Sequence, residues 1–155
     1  MKIKVAWIGK TKEPAIQSLT DEYLKRIARF VAVEGIPLRD EAALLEVSGR
    51  ASSKKGEQFG QNSKSTLILM DSRGKDFSSE EFAQFLRDYQ DRNPRPLVFA
   101  IGGADGFHNE TRSAAQFVLS LGKMTLPHEL ARIVLLEQIY RAFTILKGYP
   151  YHRGH

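Results

Sequence analysis

Leu97-Val98-Phe99-Ala100-Ile101 runs without a polar residue into Gly102-Gly103-Ala104-Asp105-Gly106. Five consecutive apolar side chains leave no face for water, so a strand here is covered on both sides, as in a parallel sheet. Parallel neighbours need long crossover connections, usually helical, and the flanking sequence supplies them. Upstream, Ser65-Thr66-Leu67-Ile68-Leu69-Met70 is a second buried strand, read as stopping at Asp71 and the turn Ser72-Arg73-Gly74-Lys75. Between the two, Ser78 followed by Glu81 is a capping-box spacing that opens a helix through Phe82, Phe85, Leu86 and Tyr89, broken at Pro94 to Pro96.

The same rhythm extends both ways. Lys2 to Ile8 reads as a strand ending at Gly9, and Ile16, Leu19, Tyr23, Leu24, Ile27 and Phe30 recur at helical spacing from Pro14. Val31 to Leu38 reads as a second strand. Residues 39 to 64 are polar and only weakly helical, at Glu41 to Val47 and Gly56 to Gln61. Downstream come a short helix after Asn109, a short strand from Phe117 to Leu121, a loop to Pro127, and a long helix from about His128 to Lys147, closed by Gly148 and Pro150. Strands alternating with helices predict an α/β fold, a mostly parallel sheet flanked by helices. No side of the last helix is purely polar: Leu130, Ile133 and Val134 lie opposite Leu135, Ile139, Phe143 and Leu146. One side meets the sheet; the other predicts a second copy of the chain, a homodimer.

With 155 residues against ~100–200 per domain, residues 1–155 are expected to form a single domain. A hydrophobic content of 42% with 26% charged residues excludes disordered and low-complexity classes. Apolar runs of about five residues fall far short of the ~20 that cross a bilayer, and Val5 to Ile8 is too short for a secretory signal core. A cytoplasmic protein without membrane contact is expected. The absence of cysteine removes disulfides, thiol nucleophiles and thiolate metal ligands, and fits a reducing compartment. A net charge of +5 and a pI near 9.5 favour a polyanionic partner such as RNA.

Ligands of open α/β sheets bind beyond the carboxyl ends of strands, which singles out the residues after Met70, after Ile101 and after Leu121. Gly102, Gly103 and Gly106 are suited either to a tight turn or to letting a ligand approach the backbone. Neither this run nor Gly9-Lys10-Thr11-Lys12 matches the dinucleotide or P-loop fingerprints. His108, His128, His152 and His155 show no zinc spacing, so no metal is expected. Glu137 and Arg141, like His128 and Arg132, stand four apart among apolar neighbours, as expected of a buried or interfacial pair rather than a catalytic one. Tyr149-Pro150-Tyr151-His152-Arg153 combines aromatic surface, a titratable ring and a permanent cation, either a frayed end or a surface for stacking on a base and touching phosphate.

Three stretches add what spacing does not. Ile101-Gly102-Gly103-Ala104-Asp105-Gly106, Lys123-Met124-Thr125-Leu126-Pro127-His128-Glu129-Leu130-Ala131-Arg132 and Glu137-Gln138-Ile139-Tyr140-Arg141-Ala142-Phe143, with the closing Tyr151-His152-Arg153, resemble the ribosomal RNA large-subunit methyltransferase H family of the SPOUT class. The resemblance spans nearly the whole chain and is strongest from Leu97 onward. It implies a SPOUT fold with a C-terminal trefoil knot, which periodicity does not suggest, and a homodimer. It also implies methyl transfer from S-adenosylmethionine to N3 of a pseudouridine in 23S rRNA, with the assembled 70S ribosome as substrate.

By position, the resemblance carries the cofactor pocket to Met70, Gly102, Leu121, Gly122, Lys123, Met124, Thr125 and Leu126. Met70 stands where leucine is common and Gly122 where serine is frequent. For Tyr151, His152 and Arg153 we expect catalytic roles: stabilising the developing uridine anion or anchoring phosphate, with His152 a candidate base and Tyr151 supporting the nucleotide. Lys54-Lys55-Gly56-Glu57 resembles the family less closely and receives no role. Two other readings stay open: a noncatalytic ribosome- or RNA-binding module, and a SPOUT methyltransferase with a different RNA target.

Overall fold

The computed structural model describes residues 1–50, 64–93 and 95–152. Strands and helices alternate along the chain as β1 (Lys2–Ile8), α1 (Pro14–Ile27), β2 (Ala32–Leu38), α2 (Glu41–Val47), β3 (Thr66–Asp76), α3 (Ser79–Arg92), β4 (Leu97–Ile101), α4 (Asn109–Ala114), β5 (Phe117–Ser120) and α5 (His128–Leu146). The sheet runs in the order β2-β1-β4-β3-β5 with every pairing parallel. β4 lies at its centre, and each of its five residues is at most 3% exposed.

Period-two alternation divides the core. Ile3, Val5, Trp7, Ile68, Leu97, Phe99 and Ile101 face a layer made by α1, α3 and α5. Ala6, Leu67, Leu69, Val98 and Ala100 face the opposite layer with Leu44 of α2 and Phe107. Both faces are covered, which is why the strand sequences read as continuous apolar runs. The α3 capping box forms as its spacing requires: Ser78 Oγ accepts from Glu81 N at 3.1 Å, and Glu81 Oε1 accepts from Ser78 N at 2.8 Å. α2 begins similarly, with Asp40 accepting from Ala43 N, and that cap turns a weakly patterned segment into a helix. The helix expected over 56–61 and residues Lys54 to Glu57 lie outside the described residues.

β3 does not stop at Asp71. It continues to Asp76, shifts register between Met70 and Lys75, and stays paired with β5 on both sides of the shift. The expected turn at Ser72 to Lys75 falls within the irregularity, since Met70 and Lys75 both pair with Leu119, and the strand resumes at Lys75 and Asp76 with exposed side chains, so hydrophobic patterning carries no trace of it. Gly74 makes the crossing possible: a Cβ there would lie 2.6 Å from the backbone of Val118. At other ends the differences are small. α1 closes at Ile27, and Phe30 beyond it stacks on Phe143; β5 closes at Ser120, leaving Leu121 in the following loop. Among the described residues no helix is long and apolar enough to cross a membrane.

Candidate active site

Because the strands run parallel, their carboxyl ends meet along one edge of the sheet, and the segments leaving β3, β4 and β5 there enclose a cavity of about 780 Å³. Met70, Gly102, Leu121, Gly122, Met124, Thr125 and Leu126 all line it; Lys123 is exposed and does not. The first turn of α5 closes the cavity through His128 and Ala131.

Local chemistry explains each glycine turn. Gly106 adopts φ +72° and its N–H donates to Gly103 O at 3.1 Å, folding the loop after β4 back on itself. A Cβ on Gly102 would stand 3.2 Å from the Phe107 ring, so only a glycine leaves that ring undisturbed beside the cavity. Gly122 has φ +133°, a backbone shape L side chains rarely adopt. Ser120 holds it there, Oγ donating to Gly122 O at 2.8 Å and accepting from Gly122 N at 3.0 Å.

Opposite the apolar walls stands a polar one that sequence reasoning passed over: Asp71, Arg73 and Arg112. Asp71 pairs with Arg112 and also accepts from the Arg73 guanidinium at 3.3 Å and the Arg73 N–H at 2.9 Å. Burial pushes the Asp71 carboxyl up, but the hydrogen bonds from Arg73 and the bond and charge of Arg112 outweigh it and bring the pKa down to about 2. Asp71 was visible as the residue after a buried strand; its partner 41 positions away was not.

The tail residues lie elsewhere. Tyr151 Oη donates to Glu137 Oε2 at 3.0 Å, and Arg141 pairs with Glu137 at 2.8 Å while lying over the Tyr151 ring. His152 bridges Arg141 Nη1 at 2.8 Å and Glu80 Oε1 at 2.7 Å. Neither tail residue lines the cavity. Glu137 is nine residues along α5 from His128, about 13 Å at 1.5 Å per residue. Arg153 lies outside the described residues, as does His155. Glu137 and Arg141 form the expected half-buried ion pair, whereas His128 and Arg132 do not pair: His128 lines the cavity, and Arg132 is 1% exposed and bonded to Thr11 and Thr20. His108 pairs instead with Glu41, which ties the glycine loop to α2.

A five-stranded parallel sheet with helices on both faces, whose strand ends converge on one glycine-lined cavity, describes the SPOUT class, and the model of the family described as "Predicted SPOUT methyltransferase" matches residues 1–152. Ribosomal RNA large subunit methyltransferase H of Koribacter versatilis is 54% identical over 155 residues, all of both chains. Among solved structures, a probable methyltransferase from Bordetella pertussis Tohama I superposes with TM-score 0.55 at 14% identity, over 91% of this chain and 93% of that one. The putative methyltransferase Lpg2936 from Legionella pneumophila, solved with bound SAM, gives TM-score 0.51 at 17% identity, over 92% and 66%. At such identities these two likenesses speak for the fold alone. The chain belongs to the ribosomal RNA large subunit methyltransferase H family of SPOUT methyltransferases.

Proposed function

We propose that this chain, acting as one methyltransferase domain, transfers the methyl group of S-adenosylmethionine to N3 of a pseudouridine in the 23S rRNA of the assembled 70S ribosome. The observation that carries the reading is the convergence of the segments after Met70, Ile101 and Ser120 on a single cavity. Its volume falls within the ~300–1,000 Å³ of small-molecule sites. Its composition suits the cofactor: Met70, Leu121 and Leu126 offer apolar walls to an adenine ring, and the glycine loops offer backbone groups at close range. When bound, S-adenosylmethionine supplies an electrophilic methyl on a sulfonium.

The chain's own residues must hold the nucleotide and deal with the N3 proton. Tyr151, His152 and Arg153 are assigned that work, the cation facing the developing anion and the tyrosine supporting the base. Within one chain the anchor of this tail, Glu137, lies about 9 Å along α5 from Ala131, the last residue of that helix to line the cavity. We assign the tail that serves the reaction to a second copy, so the function proposed is that of a homodimer. Exposed Leu130 and Met124, with half-buried Ile133 and Val134, give α5 and its preceding loop an apolar surface for that contact. The C-terminal trefoil knot belongs to the same proposal.

The test is methyl incorporation into ribosomes lacking the modification, with mass mapping of the product. Methylation at N3 of one pseudouridine is expected. Cofactor binding without turnover would favour a noncatalytic binding module, and a methyl group on another nucleotide would favour a different RNA target.

A further inference from the structure

The loop Gly9 to Glu13, between β1 and α1, is held by more than its own sequence requires. Arg132 projects from the second turn of α5 into the interior, with its guanidinium 4.0 Å from the Trp7 ring centroid and Nη1 bonded to Thr11 Oγ1 at 2.9 Å and Thr20 Oγ1 at 3.2 Å. It makes no salt bridge among the described residues, and its Nε and the Trp7 Nε1 find no partner there. A buried charge without a carboxylate lowers stability relative to an apolar side chain of similar size, so its retention points to what it positions. One turn earlier, Glu129 Oε1 accepts from the backbone N–H groups of Lys12 at 2.9 Å and Glu13 at 3.3 Å. Two α5 side chains thus clamp this loop from a helix whose first turn also closes the cavity.

The clamped loop does not line the cavity, but it leaves β1 next to a residue that does. β1 neighbours β4, and Ile8 Cγ2 lies 4.0 Å from where a Cβ on Gly103 would be. Lys10 and Lys12 are exposed and make no salt bridge among the described residues. Glu129 takes up the amides of Lys12 and Glu13 with its carboxylate, so an anion arriving here is drawn to the two exposed ammonium groups rather than to those amides. We infer that the β1–α1 loop is a preset basic rim that binds phosphate of the RNA substrate beside the cavity through Lys10 and Lys12, with Arg132 and Glu129 as its positioning residues.

This inference rests on RNA being the substrate, as proposed above, and its test separates the two. Ribosome affinity is measured against salt concentration for the full-length protein, with S-adenosylmethionine affinity followed by calorimetry. Lys10→Ala/Lys12→Ala is expected to weaken ribosome binding roughly tenfold and to reduce the slope of log affinity against log salt by about 1–2, with cofactor affinity retained. Arg132→Met is expected to weaken ribosome binding without lowering the melting temperature, which a merely structural arginine would not do; should that variant fail to fold, the lysine pair decides. An unchanged salt slope in the lysine variant overturns the rim even if methyl transfer proceeds, and a wild-type chain that binds no ribosome overturns both proposals. Lysine-dependent binding without methyl transfer supports the rim and sinks the enzymatic reading.

Discussion

Arg141 places Nη1 2.8 Å from Nδ1 of His152. A guanidinium only donates, so in this contact Nδ1 accepts, and Nε2 faces Glu80 Oε1 at 2.7 Å as donor. Both ring nitrogens are thereby committed, and His152 has no lone pair to offer a substrate while the tail is docked.

Removing the Glu80 carboxylate tests this. Glu80→Ala deletes the acceptor of Nε2–H and is expected to loosen the tail without unfolding the protein. Hydrogen exchange should accelerate at the Tyr149 amide, which donates to Thr144 O at 2.9 Å, while the middle of α5 stays protected; unchanged exchange there would show that the histidine bridge does not hold the tail.

Glu137 gathers several groups: it pairs with Arg141, accepts from Tyr151 and acts on the Tyr23 phenol. Burial, then the hydrogen bond and charge of Glu137, raise the Tyr23 pKa to about 12. A raised phenol pKa contributes stability that is present below the ordinary value of 10 and is lost as pH climbs from there through about 12. Glu137→Gln should bring the Tyr23 titration back toward 10, read by ultraviolet absorbance of the phenolate, and flatten the alkaline fall in melting temperature.

The acid side is governed by Asp71. With its pKa held at about 2 against 3.8 unperturbed, its folded-state advantage is complete above about 4 and disappears as pH falls toward 2. In Asp71→Asn this part of the acid dependence should vanish from melts across that window. The same change leaves Arg73 and Arg112 without their shared carboxylate at the cavity wall, and cofactor affinity should drop several-fold at neutral pH.

Gly74→Ala should be among the most damaging single-methyl changes in the chain. The new Cβ would stand 2.6 Å from the carbonyl carbon and oxygen of Val118 and 2.8 Å from that of Leu119, and backbone atoms of a paired strand cannot step aside as a flexible side chain can. A loss of about 3 kcal/mol is expected, measured by denaturant unfolding.

Gly74 also marks where reading the sequence ran out. Strands and helices announced themselves through side-chain periodicity: β4 by five apolar residues, α3 by Ser78 and Glu81, α5 by apolar residues on both sides. The far end of β3 is held by backbone pairing of Lys75 and Asp76, whose side chains are in water, so it left a polar string that resembles a turn. The cavity was readable for a related reason, since parallel strands place the segments after Met70, Ile101 and Ser120 at one edge whatever their separation along the chain. Its polar wall and the clamp on the β1–α1 loop were not, because Asp71 with Arg112, and Thr11 with Arg132, meet only once the sheet and helices have packed.

Gly122 offers a test confined to the cavity. At φ +133° any side chain meets its own backbone, while no atom beyond its two chain neighbours lies within 4 Å of where a Cβ would stand, so the cost of Gly122→Ala is conformational, on the order of 1–3 kcal/mol. The loop sits at the surface, and relaxing it away from the Ser120 hydrogen bonds relieves the strain without disturbing the core. Global stability should then change little while S-adenosylmethionine affinity falls, because Leu121, Thr125 and Leu126 move with the loop. Lys123→Ala, on the same loop but off the cavity lining, should leave calorimetric cofactor affinity where it was; equal losses in the two variants would mean that the lysine side chain, and not the loop's backbone shape, holds the cofactor.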